Sequence, residues 1–206
     1  MRYDLGMHGA KSPLRYLLFI PLGVLLWTLT PVERQLGDGV KVVLVHVSLI
    51  WVGTAAMILS GACAIAALLG FSKAARWARI SGLLGVVIYA LGIGMSMIAA
   101  LVNWGGINWT EPRLRASFRF LAVAAIVYAL GGLKEKLRAG LWVLLTIFFV
   151  WTLLTPELQM HPGRAIKNAE VLGIQLAFAG WVVLIGSLAL SVAYDMSRAF
   201  RPTGLS

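Results

Sequence analysis

The sequence predicts an all-α protein, a single bundle of six transmembrane helices spanning residues 1–206 as one domain. Three observations predict it. The chain is 60% apolar and 13% charged, with a mean hydropathy of +0.86, whereas a soluble domain carries about 25% charged residues. Apolar runs long enough to cross a hydrocarbon core of ~30 Å recur along its length. These runs do not alternate apolar with polar residues, so a barrel is excluded, and helices are the remaining backbone that satisfies its own hydrogen bonds in lipid.

The first span is expected at about 14–30, introduced by Ser12 as cap and Pro13 in the first turn. Trp27 near its end and Pro31 after it come without a small-x-small cleavage site, so it reads as an uncleaved span rather than a signal peptide. A polar loop with Glu33, Arg34 and Asp38 leads to the second span, 40–69, which holds His46 in its first turns and ends at Gly70. The segment 72–79 reads as a basic loop, with Lys73, Arg76 and Arg79 and no acid. The third span, 80–102, contains Gly82, Gly85, Gly92, Gly94 and Ser96, small residues that let a neighbouring helix approach closely. The fourth, fifth and sixth spans are expected at 114–130, 139–155 and 171–192. Loops 131–138 and 155–170 separate them, the second carrying His161.

Six spans place both termini on one side. The N-terminal, 71–79, 134–138 and C-terminal segments hold 11 Lys and Arg, and the other three loops hold 7 together with five acids. Cytoplasmic loops are the ones enriched in Lys and Arg. Both termini are therefore expected in the cytoplasm, in a bacterial inner membrane, with His46, the 103–119 stretch and His161 facing the periplasm. The net charge of +10 is explained by these loops and does not call for nucleic acid, since no large basic surface interleaved with aromatics is present. Cys63 stands alone in an apolar run, consistent with packing. There is no Cys-x-x-Cys-His site for covalent haem, no Walker motif, no nucleophile beside a base and no paired carboxylates. Nothing therefore points to an enzyme with bond-making chemistry of its own.

The stretch Asn103 to Arg119 stands out because aromatics, glycines, an acid and arginines crowd between two apolar runs. Trp104 and Trp109 fit an interfacial aromatic belt, and as flat indoles they also offer a stacking surface for a porphyrin. Gly105 and Gly106 permit an unusual turn or a close backbone approach. Arg113 and Arg115 are permanently charged planar donors suited to haem propionates, and Glu111 has Arg115 one helical turn on as a pairing partner. Arg119 falls inside the fourth span, where an arginine must snorkel, pair or face a polar cavity; a cavity is expected. Tyr89, Met95 and Met97 read as packing. His46 and His161 read in isolation as a buried core histidine and a solvated loop residue. Together on the outer side they are what a bis-histidine haem iron would need, and too few for a tetrahedral zinc site.

This pattern resembles the cytochrome c assembly family of haem-handling membrane proteins, and within it the six-span, CcmC-like members. The family has a His-Val near the start of its second span, matched by His46-Val47. Its outward segment of the form Trp-Gly-x-x-Trp-x-Trp-Asp-x-Arg aligns with Trp104-Gly105 and Glu111-x-Arg113, with Glu in place of Asp. His161 matches a further external histidine before the last span. The resemblance runs from about Val40 to Leu190. This chain departs from it in having fewer tryptophans, with Trp109 one position early and Ile107 and Asn108 at aromatic places.

The resemblance implies a protein that holds haem b between His46 and His161 and stacks it on Trp104 and Trp109. Arg113 and Arg115 would anchor it, and it would be presented for cytochrome c maturation. It also implies partners beyond membrane lipids: an ABC-type haem-export complex and a periplasmic haem chaperone or cytochrome. The degraded platform leaves a second expectation open, a b-type haem or structural subunit of a respiratory or photosynthetic redox complex. A haem-free scaffold with tryptophans as lipid anchors is the third.

Overall fold

A computed structural model describes residues 14–130, 133–156 and 172–199. Its helices are α1 (Leu14–Leu17), α2 (Phe19–Leu29), α3 (Val40–Leu68), α4 (Ser72–Trp104), α5 (Pro112–Ala129), α6 (Glu135–Leu154) and α7 (Leu172–Ala199). Among the described residues the only extended pairing is an isolated bridge between Glu33 and Gly37. Among the described residues four helices, α3, α4, α6 and α7, are long and apolar enough to cross a membrane, and the protein is membrane-embedded on that ground. The apolar α1–α2 segment is shorter, and α5 carries Arg113, Arg115 and Arg119.

The boundaries depart from hydropathy for physical reasons. The expected first span is broken at Leu18, between α1 and α2. Pro21 has no N–H to offer the Leu17 carbonyl four residues back, and its ring crowds that oxygen. Helix α4 begins at Ser72, through the segment expected as a loop. Lys, Ala and Arg are strong helix formers, so charge ends the lipid-soluble stretch there without ending the helix. Its 33 residues reach about 50 Å at 1.5 Å each, beyond the hydrocarbon at one or both ends. For the same reason α6 starts earlier than expected and α7 ends later.

The centre of the fold is the antiparallel pair α3–α4. Small residues seat one helix against the other in constant register: Ile50 opposite Gly92, Gly53 opposite Tyr89, Met57 opposite Gly85 and Ser60 opposite Gly82. The steps alternate three and four residues, the 3.5-residue repeat of a coiled-coil seam. A Cβ added at Gly53 would sit 2.9 Å from the Tyr89 backbone nitrogen, and one at Gly85 would sit 2.9 Å from that of Met57. Two of the expected approach positions differ in outcome: Gly92 lies in the seam, while Gly94 faces open space.

Helix α6 lies on this pair. Thr146 Oγ1 donates to Trp142 O at 2.9 Å and to Met57 O at 3.3 Å, and Trp142 packs on Gly82. Helix α5 packs on α6 and also reaches α4, its Phe120 edge-on to Tyr89 and packed on Phe149. The Tyr89 hydroxyl shares a 2.8 Å hydrogen bond with Ser117, whose Oγ donates onward to Arg113 O. On the other side, α7 closes a second apolar cluster with Val40, Val43, Ala99, Ile174 and Trp181. Helix α2 packs on α7, with Gly23 against Trp181 and Leu26 against Gly180. Arg15 and Tyr16 both engage Asp195.

These contacts fix the order α2, α7, the α3–α4 pair, α6, α5. They also gather the start of α3, the end of α4, the start of α5 and the end of α6 at one end of the bundle. Asn103 Nδ2 ties α4 to the Gly39 carbonyl at 3.4 Å, and Arg113 ties α5 to Thr155. Leu14 and Ala199 lie at the other end.

Candidate functional site

His46 sits in the α3–α4 seam, 5% exposed. Extending the register places it at the level of Ser96, from where its ring reaches one turn back. Nδ1 donates to the Gly92 carbonyl at 2.8 Å. A carbonyl only accepts, so this bond puts the proton on Nδ1 and the lone pair of the neutral ring on Nε2. Gly92 has no side chain to shield its carbonyl from α3. A buried histidine that merely satisfies itself makes this bond, and so does a metal-ligating histidine whose tautomer is fixed from behind.

Trp104 ends α4 and is 55% exposed. Gly105 terminates that helix with a left-handed φ of 71°, its N–H bonded to Leu101 O at 3.1 Å. Helix termination therefore accounts for Gly105, and a Cβ at Gly105 or Gly106 would meet nothing within 4 Å. The turn that follows is built by Asn108, whose Oδ1 accepts from Thr110 N at 3.0 Å and Thr110 Oγ1 at 2.6 Å. An Asn two residues before a Thr is a readable turn signal, and it shows what Asn108 does in place of an aromatic ring. Trp109, 57% exposed, stacks on Phe118 with centroids 6.4 Å apart.

The arginines divide their work. Arg113 donates from Nε and Nη2 to Thr155 O at 3.2 and 3.1 Å, and from Nη2 to Leu153 O at 3.0 Å. A guanidinium over the last carbonyls of α6 supplies donors those groups lack and opposes the negative end of the helix dipole. The fork expected to hold an external anion is thus committed to the protein. Glu111 acts electrostatically on Arg113. Arg115 turns to the Trp109 carbonyl, with Nε donating at 2.8 Å, rather than to Glu111.

Arg115 and Arg119 line a cavity of about 390 Å³ between α5 and α6, with Thr110, Pro112, Trp151 and Pro156 among its other walls. Arg119 thus faces a cavity, as its place in an apolar helix led one to expect. Among the described residues its lining carries two guanidinium groups and no carboxylate, a balance of charge that suits an anion. Its volume is in the range of small-molecule sites, ~300–1,000 Å³. Trp151, 53% exposed and stacked on Phe148 at 5.5 Å, is a wall the sequence reading did not single out. Its signal is its place four residues before Thr155, at the end of α6 that Arg113 marks.

His46 does not line this cavity. The structure thus brings Trp109, Arg115 and Arg119 together at the end of the bundle where α3 begins, and leaves His46 inside the seam. His161 lies outside the described residues. Among the described residues no group of three or more His, Cys, Asp and Glu is placed to hold a metal ion.

Fold and site together define a helical membrane protein with a cationic, tryptophan-flanked cavity at one end of its bundle. Compared with family models, curated proteins and solved structures, the chain finds no match.

Proposed function

We propose that this protein holds haem b at the outer end of a six-span bundle and presents it for cytochrome c maturation. The fourth span is α5 and the first is α1–α2, both termini are cytoplasmic, and the cavity faces the periplasm of a bacterial inner membrane. The reading is carried by the cavity of Arg115 and Arg119, flanked by exposed Trp109 and Trp151. Two guanidinium groups match the two propionates of a porphyrin, and indoles match its faces. Arg119 takes the anchoring role that Arg113 cannot. His46 supports it as the imidazole at the same end of the α3–α4 seam, its ring oriented by the Nδ1 bond to the Gly92 carbonyl. His161 follows Pro156, a wall of the cavity, by five residues. Haem is cargo here, and the protein's part is to bind, orient and release it. An ABC-type export complex and a periplasmic haem chaperone or cytochrome are the partners this role requires.

One observation favours the second reading, a b-type haem or structural subunit of a redox complex. His46 is buried within the seam, and a ligand there suits a retained haem better than an exchanging one. Absorption spectra of the purified protein, oxidised and dithionite-reduced, test both. A Soret band that shifts or fades in His46→Ala and in His161→Ala supports haem ligation. Loss of the band on adding an apo-cytochrome acceptor identifies transfer, and its persistence identifies retention. No Soret band after haem is supplied overturns both haem readings and leaves a haem-free scaffold or structural subunit.

A further inference from the structure

We infer that the groove between α3, α4 and α7 is a binding site for one phospholipid with an anionic headgroup. The groove encloses about 360 Å³ and its lining is almost wholly apolar. It is hollow because its floor is made of small residues, Ala55 and Ala56 on α3 and Gly186 and Ala189 on α7, between the larger Trp51 and Trp77. A Cβ at Gly186 would meet nothing within 4 Å.

Its length and its charge choose the occupant. Along α7 the lining runs from Val182 to Ala193, about 17 Å at 1.5 Å per residue. Half of a ~30 Å hydrocarbon core is about 15 Å, so the groove fits an acyl chain of one leaflet. At its Trp77 end the α4 stripe that lines it, Trp77, Ile80, Ser81 and Leu84, continues at helical spacing to Arg76 and Lys73. Lys73 is exposed and Arg76 half-buried, and Arg76 Nε is buried without a hydrogen bond. No acid occurs between Leu69 and Trp104, and Asp195, near the end of α7, is occupied by Arg15 and Tyr16. Arg79 acts instead on Tyr128, towards α5. A basic mouth at the interface above an apolar slot one leaflet deep is complementary to a phosphate headgroup with its acyl chain below. Neither His46 nor the Arg115–Arg119 cavity takes part, so this inference stands or falls apart from the haem reading.

The test is native mass spectrometry of the full chain in detergent. The protein is titrated with phosphatidylglycerol and, separately, with phosphatidylcholine of the same acyl chains. The expected result is one retained phosphatidylglycerol per chain, preferred over phosphatidylcholine. Each basic residue near a headgroup contributes roughly fivefold, so Lys73→Gln/Arg76→Gln should lose most of the preference. Gly186→Leu should abolish retention of both lipids by filling the slot, while its unfolding temperature in lipid-free detergent matches the parent's. Equal retention of the two lipids overturns the inference, as does unchanged retention by Gly186→Leu. A lipid-free dimer, meaning that a second copy covers the groove, overturns it too.

Discussion

The imidazole of His46 is hydrogen-bonded through Nδ1 to the carbonyl of Gly92, 2.8 Å away on the facing helix. That carbonyl sits mid-helix in α4, so it keeps its own helical partner when the imidazole is removed. His46→Leu, which retains bulk, should therefore cost only about 0.5–1.5 kcal/mol, one net hydrogen bond, in chemical unfolding monitored by circular dichroism in detergent. The same variant should lose or shift any Soret band. A large loss of stability would mean that the histidine is principally structural.

The seam makes a sharper prediction about glycines. Gly53→Ala forces a Cβ onto the Tyr89 backbone, which cannot swing aside, and should destabilise by about 1–3 kcal/mol. Gly94→Ala, on the same pair of helices but facing open space, should stabilise by up to ~1 kcal/mol, because alanine loses less backbone freedom on folding. Thermal unfolding of the two variants side by side checks the register.

Tyr89 and Ser117 form a buried pair whose two halves are unequal. In Tyr89→Phe the serine still donates to Arg113 O, and the expected cost is about 0.5–1.5 kcal/mol. In Ser117→Ala the phenol is left buried without its partner, and the cost should rise to about 1–3 kcal/mol. Equal losses would show that water reaches the phenol in the variant.

Arg113 and Arg119 should separate stability from binding. Arg113→Ala removes three hydrogen bonds from a charged donor to the end of α6 and should lower stability by about 1.5–3 kcal/mol. Arg119→Gln should change stability by no more than ~0.5 kcal/mol, yet weaken haem in an absorbance titration. A haem whose carboxylates are esterified should bind both the parent and Arg119→Gln weakly.

Much of this was legible in the sequence, because lipid leaves few choices. Helices were the only open solution, and hydropathy located the start of α3, the end of α6 and the small residues of α4. What it could not locate were helix ends outside lipid: the start of α4 at Ser72 follows from backbone propensity, to which hydropathy is blind. Pro21 was visible, and its consequence at Leu17 is a local rule that the apolar run concealed. The site was legible in composition and not in partnership. Arg113 and Arg115 are two residues apart and identical in chemistry, but on a helix two residues is about 200°, so one faces the end of α6 and the other the cavity. From the sequence both were expected to serve one anion, and only the position of α6 decided that Arg113 was committed to the protein while Arg115 and Arg119 line the cavity.

The placement of α2 bears on how the protein is made. Its close contacts, at Gly23 and Leu26, are with Trp181 and Gly180 on α7, so the first of these helices to leave the ribosome packs against the last. Until α7 is synthesised, α2 lacks these contacts, while α3 and α4 can pair from residues close in sequence. The Arg15–Asp195 contact likewise forms only once α7 has been made. A nascent chain halted before α7 would carry a finished α3–α4 hairpin beside an orphaned first helix, which is the kind of exposed intermediate that membrane quality-control proteases remove.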